Sequence, residues 1–192
     1  MRMVILLALG LGVAALPQSA AAQHRQLGAH EHGRGTLNIA IEGTRVSMEL
    51  EAPGADIVGF EHAARTGRQK TQLEQAKKQL LAPQTLFKFP DAAGCGVAAA
   101  SVDIESDEHE HEASGGAQKK HDDAAEERSH SNFHGQYSFT CNAPTAITAV
   151  DFGYFRAFAG AQKLEVNVIT SKGQTAFEVT RAKPRIDLAG MM

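Results

Sequence analysis

Histidine is the residue whose placement carries chemical information in this chain. Of nine histidines, eight fall in two polar stretches and only His62 lies elsewhere. The first group is His24, His30 and His32; the second is His109, His111, His121, His130 and His134. Each group contains a His-Glu-His triplet, His30-Glu31-His32 and His109-Glu110-His111. In an extended backbone, residues i and i+2 project to the same side, roughly 6–7 Å apart. Two imidazoles so spaced can reach one ion at roughly 2.0–2.1 Å from each nitrogen. The glutamate between them can serve as a further ligand or as an acceptor that orients a ring. Imidazole suits zinc, copper, nickel and iron, whereas oxygen-seeking calcium and magnesium would leave the histidines unexplained. The coordinating ring must be neutral, and an unperturbed histidine, with a pKa of ~6.5, is mostly neutral near pH 7.

The candidate ligands are therefore His30, His32, His109, His111, His121, His130 and His134. The competing reading is a solvated charge run with incidental histidines for the second group, and an exposed terminal strand for the first. His24 stands close to an expected cleavage site and has no assigned role. His62, in Gly59-Phe60-Glu61-His62, reads more readily as a capped or satisfied structural histidine than as a ligand. His130 and His134 would share one face of a helix, but Gly135 and the strand-like residues after it argue against a helix there. If His134 opens that strand, it lies beside the rigid scaffold.

The chain opens Met1-Arg2-Met3, continues with an apolar run from Val4 to Leu16, and reaches Ala20-Ala21-Ala22. A basic start, an apolar segment and a small-residue site form a secretory signal peptide, with cleavage expected after Ala22. The run is too short for a permanent span, which needs ~20 residues, and no later stretch is apolar enough to cross a membrane. Residues 23–192 then have room for one domain with one core. The net charge of −3 lacks the basic footprint of a nucleic-acid partner. Cys95 and Cys141 are the only cysteines. In an oxidising compartment such a pair forms a disulfide, worth roughly 4 kcal/mol by the chain-entropy argument; the alternative is that both thiols bind metal.

The elements that must position the histidines follow from periodicity. Leu37 to Ile41 and Val46 to Glu51 alternate with period two around Gly43-Thr44, which predicts a β-hairpin ended by Pro53-Gly54. Leu73, Ala76, Leu80 and Leu81 recur at helical spacing before Pro83. Thr71-Gln72-Leu73-Glu74 fits a capping box, with an earlier start near Thr66 as the alternative. Thr85 to Phe89 and Val97 to Ile104 read as strands. From Glu105 to Asn132 there is hardly a large apolar residue, so this segment is expected to be a mobile loop. Strand structure resumes at Tyr137 to Cys141, giving a hairpin with a long tip tied near its base by the cysteines. Ala146 to Val150 looks extended, and Gly153 to Ala159 fits a helical turn carrying Phe155 and Phe158. Leu164 to Ile169 and Ala176 to Thr180 close the chain as a hairpin around Lys172-Gly173. The expected fold is α+β: mainly antiparallel β, one main helix, and a long disordered histidine-rich loop.

Two motifs now carry a resemblance. Ala29-His30-Glu31-His32-Gly33-Arg34-Gly35-Thr36-Leu37-Asn38-Ile39-Ala40 followed by Gly59-Phe60-Glu61-His62 resembles the zinc-regulated periplasmic ZrgA-like proteins. The histidine-bearing insertion between Cys95 and Tyr137-Ser138-Phe139-Thr140-Cys141 has the same layout, and the likeness spans nearly all of residues 23–192. It implies a periplasmic protein whose histidine-rich region binds Zn²⁺ and which assists zinc uptake beside a periplasmic binding protein and its ABC importer. Zinc, rather than imidazole-seeking metals in general, rests on this resemblance. Spacing alone also admits copper or nickel, although there is no methionine-rich tract of the kind Cu(I) favours, since Met48, Met191 and Met192 are the only methionines after the signal. A metallohydrolase is the third possibility, but H-E-x-x-H is absent, and a catalytic site must be held to fractions of an ångström.

Overall fold

A computed structural model describes residues 33–106 and 130–192. The expected signal segment 1–22 and His24, His30, His32, His109, His111 and His121 lie outside the described residues, as does most of the 105–132 segment.

Alternation builds the main sheet. In β1 (Arg34–Glu42) and β2 (Arg45–Pro53) every second residue is buried, and the strands pair antiparallel with Leu37 opposite Leu50 and Ile39 opposite Met48. β4 (Cys95–Ser106) and β5 (Ser131–Cys141) form a second antiparallel pair, and β5 lies against β2. β7 (Lys163–Thr170) and β8 (Gly173–Thr180) form the expected C-terminal hairpin. β7 joins β1 in parallel, with Leu37 opposite Val166. The six-stranded order is β4-β5-β2-β1-β7-β8. The fold is thus mostly antiparallel β with one principal helix, as the sequence predicts.

The inner face of this sheet carries Leu37, Ile39, Val46, Leu50, Phe139, Leu164, Val166 and Val168, all buried. They join one core with the aromatics Phe87, Phe152, Tyr154, Phe155 and Phe158. The ring of Phe87 lies 5.9 Å from Tyr137 and 6.4 Å from Tyr154. A small second sheet supplies some of these residues: β3 (Phe87–Lys88), β6 (Ala149–Phe152) and β9 (Arg185–Asp187), in the order β3-β6-β9. The chain therefore does not close at Thr180; Ile186 and Leu188 beyond it are buried.

Short helices link the layers. α1 (Gly54–Val58) follows β2, α2 (Gly67–Leu80) is the principal helix, and α3 (Pro83–Leu86) and α4 (Tyr154–Ala157) are single turns. The capping box is at Thr66 and Gln69, the earlier of the two expected starts. The hydroxyl of Thr71 donates instead to the Gly67 carbonyl, inside the helix. Only Phe87–Lys88 of the expected Thr85–Phe89 strand is extended, because Pro83 starts a turn that runs to Leu86. Strand pairing also reaches further into the polar segment than composition suggests. Glu105 pairs with Asn132 and Ser106 with Ser131, so these four residues belong to strands and not to the loop.

Candidate functional site

The two histidine-bearing stretches attach to the sheet at one end. Gly33, which follows directly on His32, leads into β1 at Arg34. β4 leaves the sheet at Ser106 and β5 enters at Ser131. The registers bring Thr36, Glu51, His134 and Asp103 into one row across β1, β2, β5 and β4. A buried carboxylate fixes the entrance: the Gly33 N–H donates to Asp56 Oδ1 of α1 at 2.7 Å, and Asp56 is only 3% exposed. The backbone immediately after His30-Glu31-His32 is thereby held to the scaffold.

Alternation also sets the chemistry of the outer face. With Leu50 and Met48 inward, Glu49 and Glu51 must face out, and so must His134 and Gln136 between Phe133, Gly135 and Tyr137. A groove of about 420 Å³ runs there, with Glu49, Glu51, Asp103 and Glu105 among its lining residues and His134 beside them. The Nε2 of His134 lies 3.3 Å from Glu105 Oε2, close enough for an ion pair but not aligned as a hydrogen bond, so this buried nitrogen has no hydrogen-bond partner among the described residues. Towards the cysteine end the same face becomes small and apolar around Ala40, Ala99 and Ala100.

The remaining described histidines have definite partners. His130 Nδ1 lies 2.6 Å from Glu61 Oε2. His62 stacks on Phe60 with ring centroids 5.1 Å apart, and its Nδ1 lies 3.0 Å from the Ala63 carbonyl. Its Nε2 lies 3.4 Å from Gln69 Nε2 of the capping box. His62 is a locally satisfied residue, as its sequence context suggests. His130 and His134 share no helix: His130 precedes β5 and His134 lies within it. Among the described residues, no three His, Cys, Asp or Glu side chains are placed to hold one metal ion.

Cys95 and Cys141 are bonded, at the far end of the β4–β5 pair from Ser106 and Ser131. The bond thus braces the hairpin base, remote from the histidine end. Burial pushes the phenol pKa of both Tyr137 and Tyr154 up, with the nearby Asp56 charge adding to the shift at Tyr154; both therefore stay protonated in the core. Across the β7–β8 pair, the Lys163 ammonium donates a hydrogen bond to Glu178 and holds that carboxyl below the usual range.

Sequence reasoning missed Glu61, Asp56 and the carboxylate row. The alternation in β2 signals that Glu49 and Glu51 share a wet face. Nothing local signals Glu61 and His130, which are 69 positions apart.

Fold and surface together define a mainly antiparallel β protein with a histidine- and carboxylate-bearing outer face. The family model for the ZrgA family zinc uptake protein matches residues 29–188, and the chain belongs to that family. It thus has a role in zinc uptake. No curated protein matches the chain. Among the described residues, no helix is long and apolar enough to cross a membrane.

Proposed function

We propose that the chain is a periplasmic protein that captures or buffers Zn²⁺ and passes it to an uptake system, without a catalytic step. The observation that carries this reading is the attachment of both histidine-bearing stretches at one end of the sheet. In this reading His30, His32, His109, His111, His121, His130 and His134 supply the ligands. The carboxylates of the outer groove raise the local concentration of divalent cations beside them. Export after cleavage at Ala22 places the protein where the Cys95–Cys141 bond persists. A scaffold with ligands on attached segments suits capture and release, because transfer requires that the ion be given up. The receiver is a periplasmic zinc-binding protein and its ABC importer.

Imidazole sites take copper more tightly than zinc, so metal identity needs its own test. Cells lacking the protein should grow more slowly than wild type when zinc is chelated, and added zinc should restore growth. Equal growth of the two strains, or restoration by copper or nickel but not by zinc, would overturn the assignment.

A further inference from the structure

We propose that the free edge of β4 is the interface through which two copies of this chain pair, β4 on β4 and antiparallel. At 12 residues β4 is the longest strand of the six-stranded sheet and lies at its border, so among the described residues its backbone is paired on the β5 side only. An open edge offers a row of N–H and C=O groups to another strand, and proteins commonly guard it with lysine, proline or a bulge. β4 contains no lysine, arginine or proline. Its bulge falls between Val97 and Ala99, which leaves Ala99–Ser106 in regular register. The opposite edge, β8, has 8 residues, with Lys172 before it and Lys183 bridged to Thr180 at its end. Side chains leave the β4 edge accessible. Ala99 and Ser101 are small and exposed, while Ala100, Val102 and Ile104 alternate with them, pack towards the core and are only half-buried.

Alternation and charge select a second copy as the occupant and fix its register. For the outer face of one copy to continue as the outer face of the other, each residue must oppose one that points the same way. Opposed residue numbers then add to an even total. Centring the pair on Asp103 would set two carboxylates against each other, and centring on Ile104 would set Asp103 against Glu105; like charges directly opposed are destabilising. Centring on Ser101 would bring the bulged Ala98 opposite Ile104. Centring on Val102 avoids both faults, and pairs Ala99 through Glu105 with Glu105 through Ala99 of the second copy. On the inner side Val102 then meets Val102 and Ala100 meets Ile104, which takes more of these half-buried side chains out of water. On the outer side Asp103 faces Ser101 and Glu105 faces Ala99, so no carboxylate opposes another. The contact is self-complementary and closes at two copies. Because the strands run oppositely, the two Glu105 residues lie about 20 Å apart, and the histidine ends of the copies point away from each other.

Sedimentation of residues 23–192 over a wide range of protein concentration, with EDTA present so that association bridged by metal does not count, tests the interface. The wild type should show a reversible equilibrium between monomer and dimer. Ser101→Glu places a carboxylate opposite Asp103 twice across the two-fold axis and should weaken the dimer at least ~10-fold. Ser101→Lys, of similar bulk and opposite charge, should leave it as tight or tighter. Adding Asp103→Lys to Ser101→Glu should restore pairing, because each new glutamate then faces a lysine. Ser101 is exposed, so thermal unfolding of the single variants should stay close to that of the wild type. A wild type that stays monomeric at every concentration overturns the inference. So does a dimer that Ser101→Glu leaves unchanged, or that Ser101→Glu and Ser101→Lys weaken to the same extent.

Discussion

Replacing both Cys95 and Cys141 by serine should lower the unfolding free energy by about 4 kcal/mol while leaving zinc affinity nearly unchanged. The bond cross-links positions separated by 46 residues, and most of its effect comes from restricting the unfolded chain. It joins directly paired residues at the base of β4 and β5, so the folded strands need no rearrangement to accept it. β4 is 12 residues long, which places the bond roughly 35 Å along the strand from the histidine end. Urea unfolding of the oxidised protein and the double variant gives the first quantity, and zinc titration of both gives the second. A loss below about 1 kcal/mol would mean that the unfolded chain is restricted by something other than the bond. A large loss of zinc affinity would mean that the base of the hairpin controls its far end.

Excising residues 107–129 should lower the amount of bound zinc and leave the scaffold folded. The excision takes away His109, His111 and His121 but spares His130, His134 and the N-terminal pair. The scaffold should survive because β4 and β5 remain paired from Cys95–Cys141 to Ser106–Ser131, and the core formed among the described residues is left intact. The excision roughly halves the loop closed by the disulfide, which reduces that bond's contribution by only about 0.6 kcal/mol. Metal analysis of dialysed protein reads the stoichiometry, and thermal unfolding reads the fold. Unchanged stoichiometry in a folded variant would move the sites off this segment.

Local pattern carried much of this molecule. The β1–β2 hairpin, the C-terminal hairpin, the helix before Pro83 and the turn with Phe155 and Phe158 all follow from spacing. The cysteine pairing follows from there being two cysteines in a chain whose first residues predict export. Partner choice between strands does not. β1 and β7 are both alternating aliphatic strands, and nothing in either dictates that Leu37 lies beside Val166 in parallel. β9 spans only Arg185–Asp187 and has too few residues to show a period. The reach of pairing to Ser106 and Ser131 was hidden because edge positions of a long hairpin can be polar and still hydrogen-bond along the backbone. At the site, the outward carboxylates of β2 were readable from period two. The Glu61–His130 contact was not, because it depends on α1 and β5 closing over Gly54.

The most direct test of zinc capture is a calorimetric titration of residues 23–192 with Zn²⁺ at neutral pH, with bound metal quantified after dialysis. The expected result is saturable binding in the intact protein, reduced by His30→Ala/His32→Ala and reduced further when residues 107–129 are also removed. A folded protein that gives no binding heat and retains no zinc would contradict the proposed function.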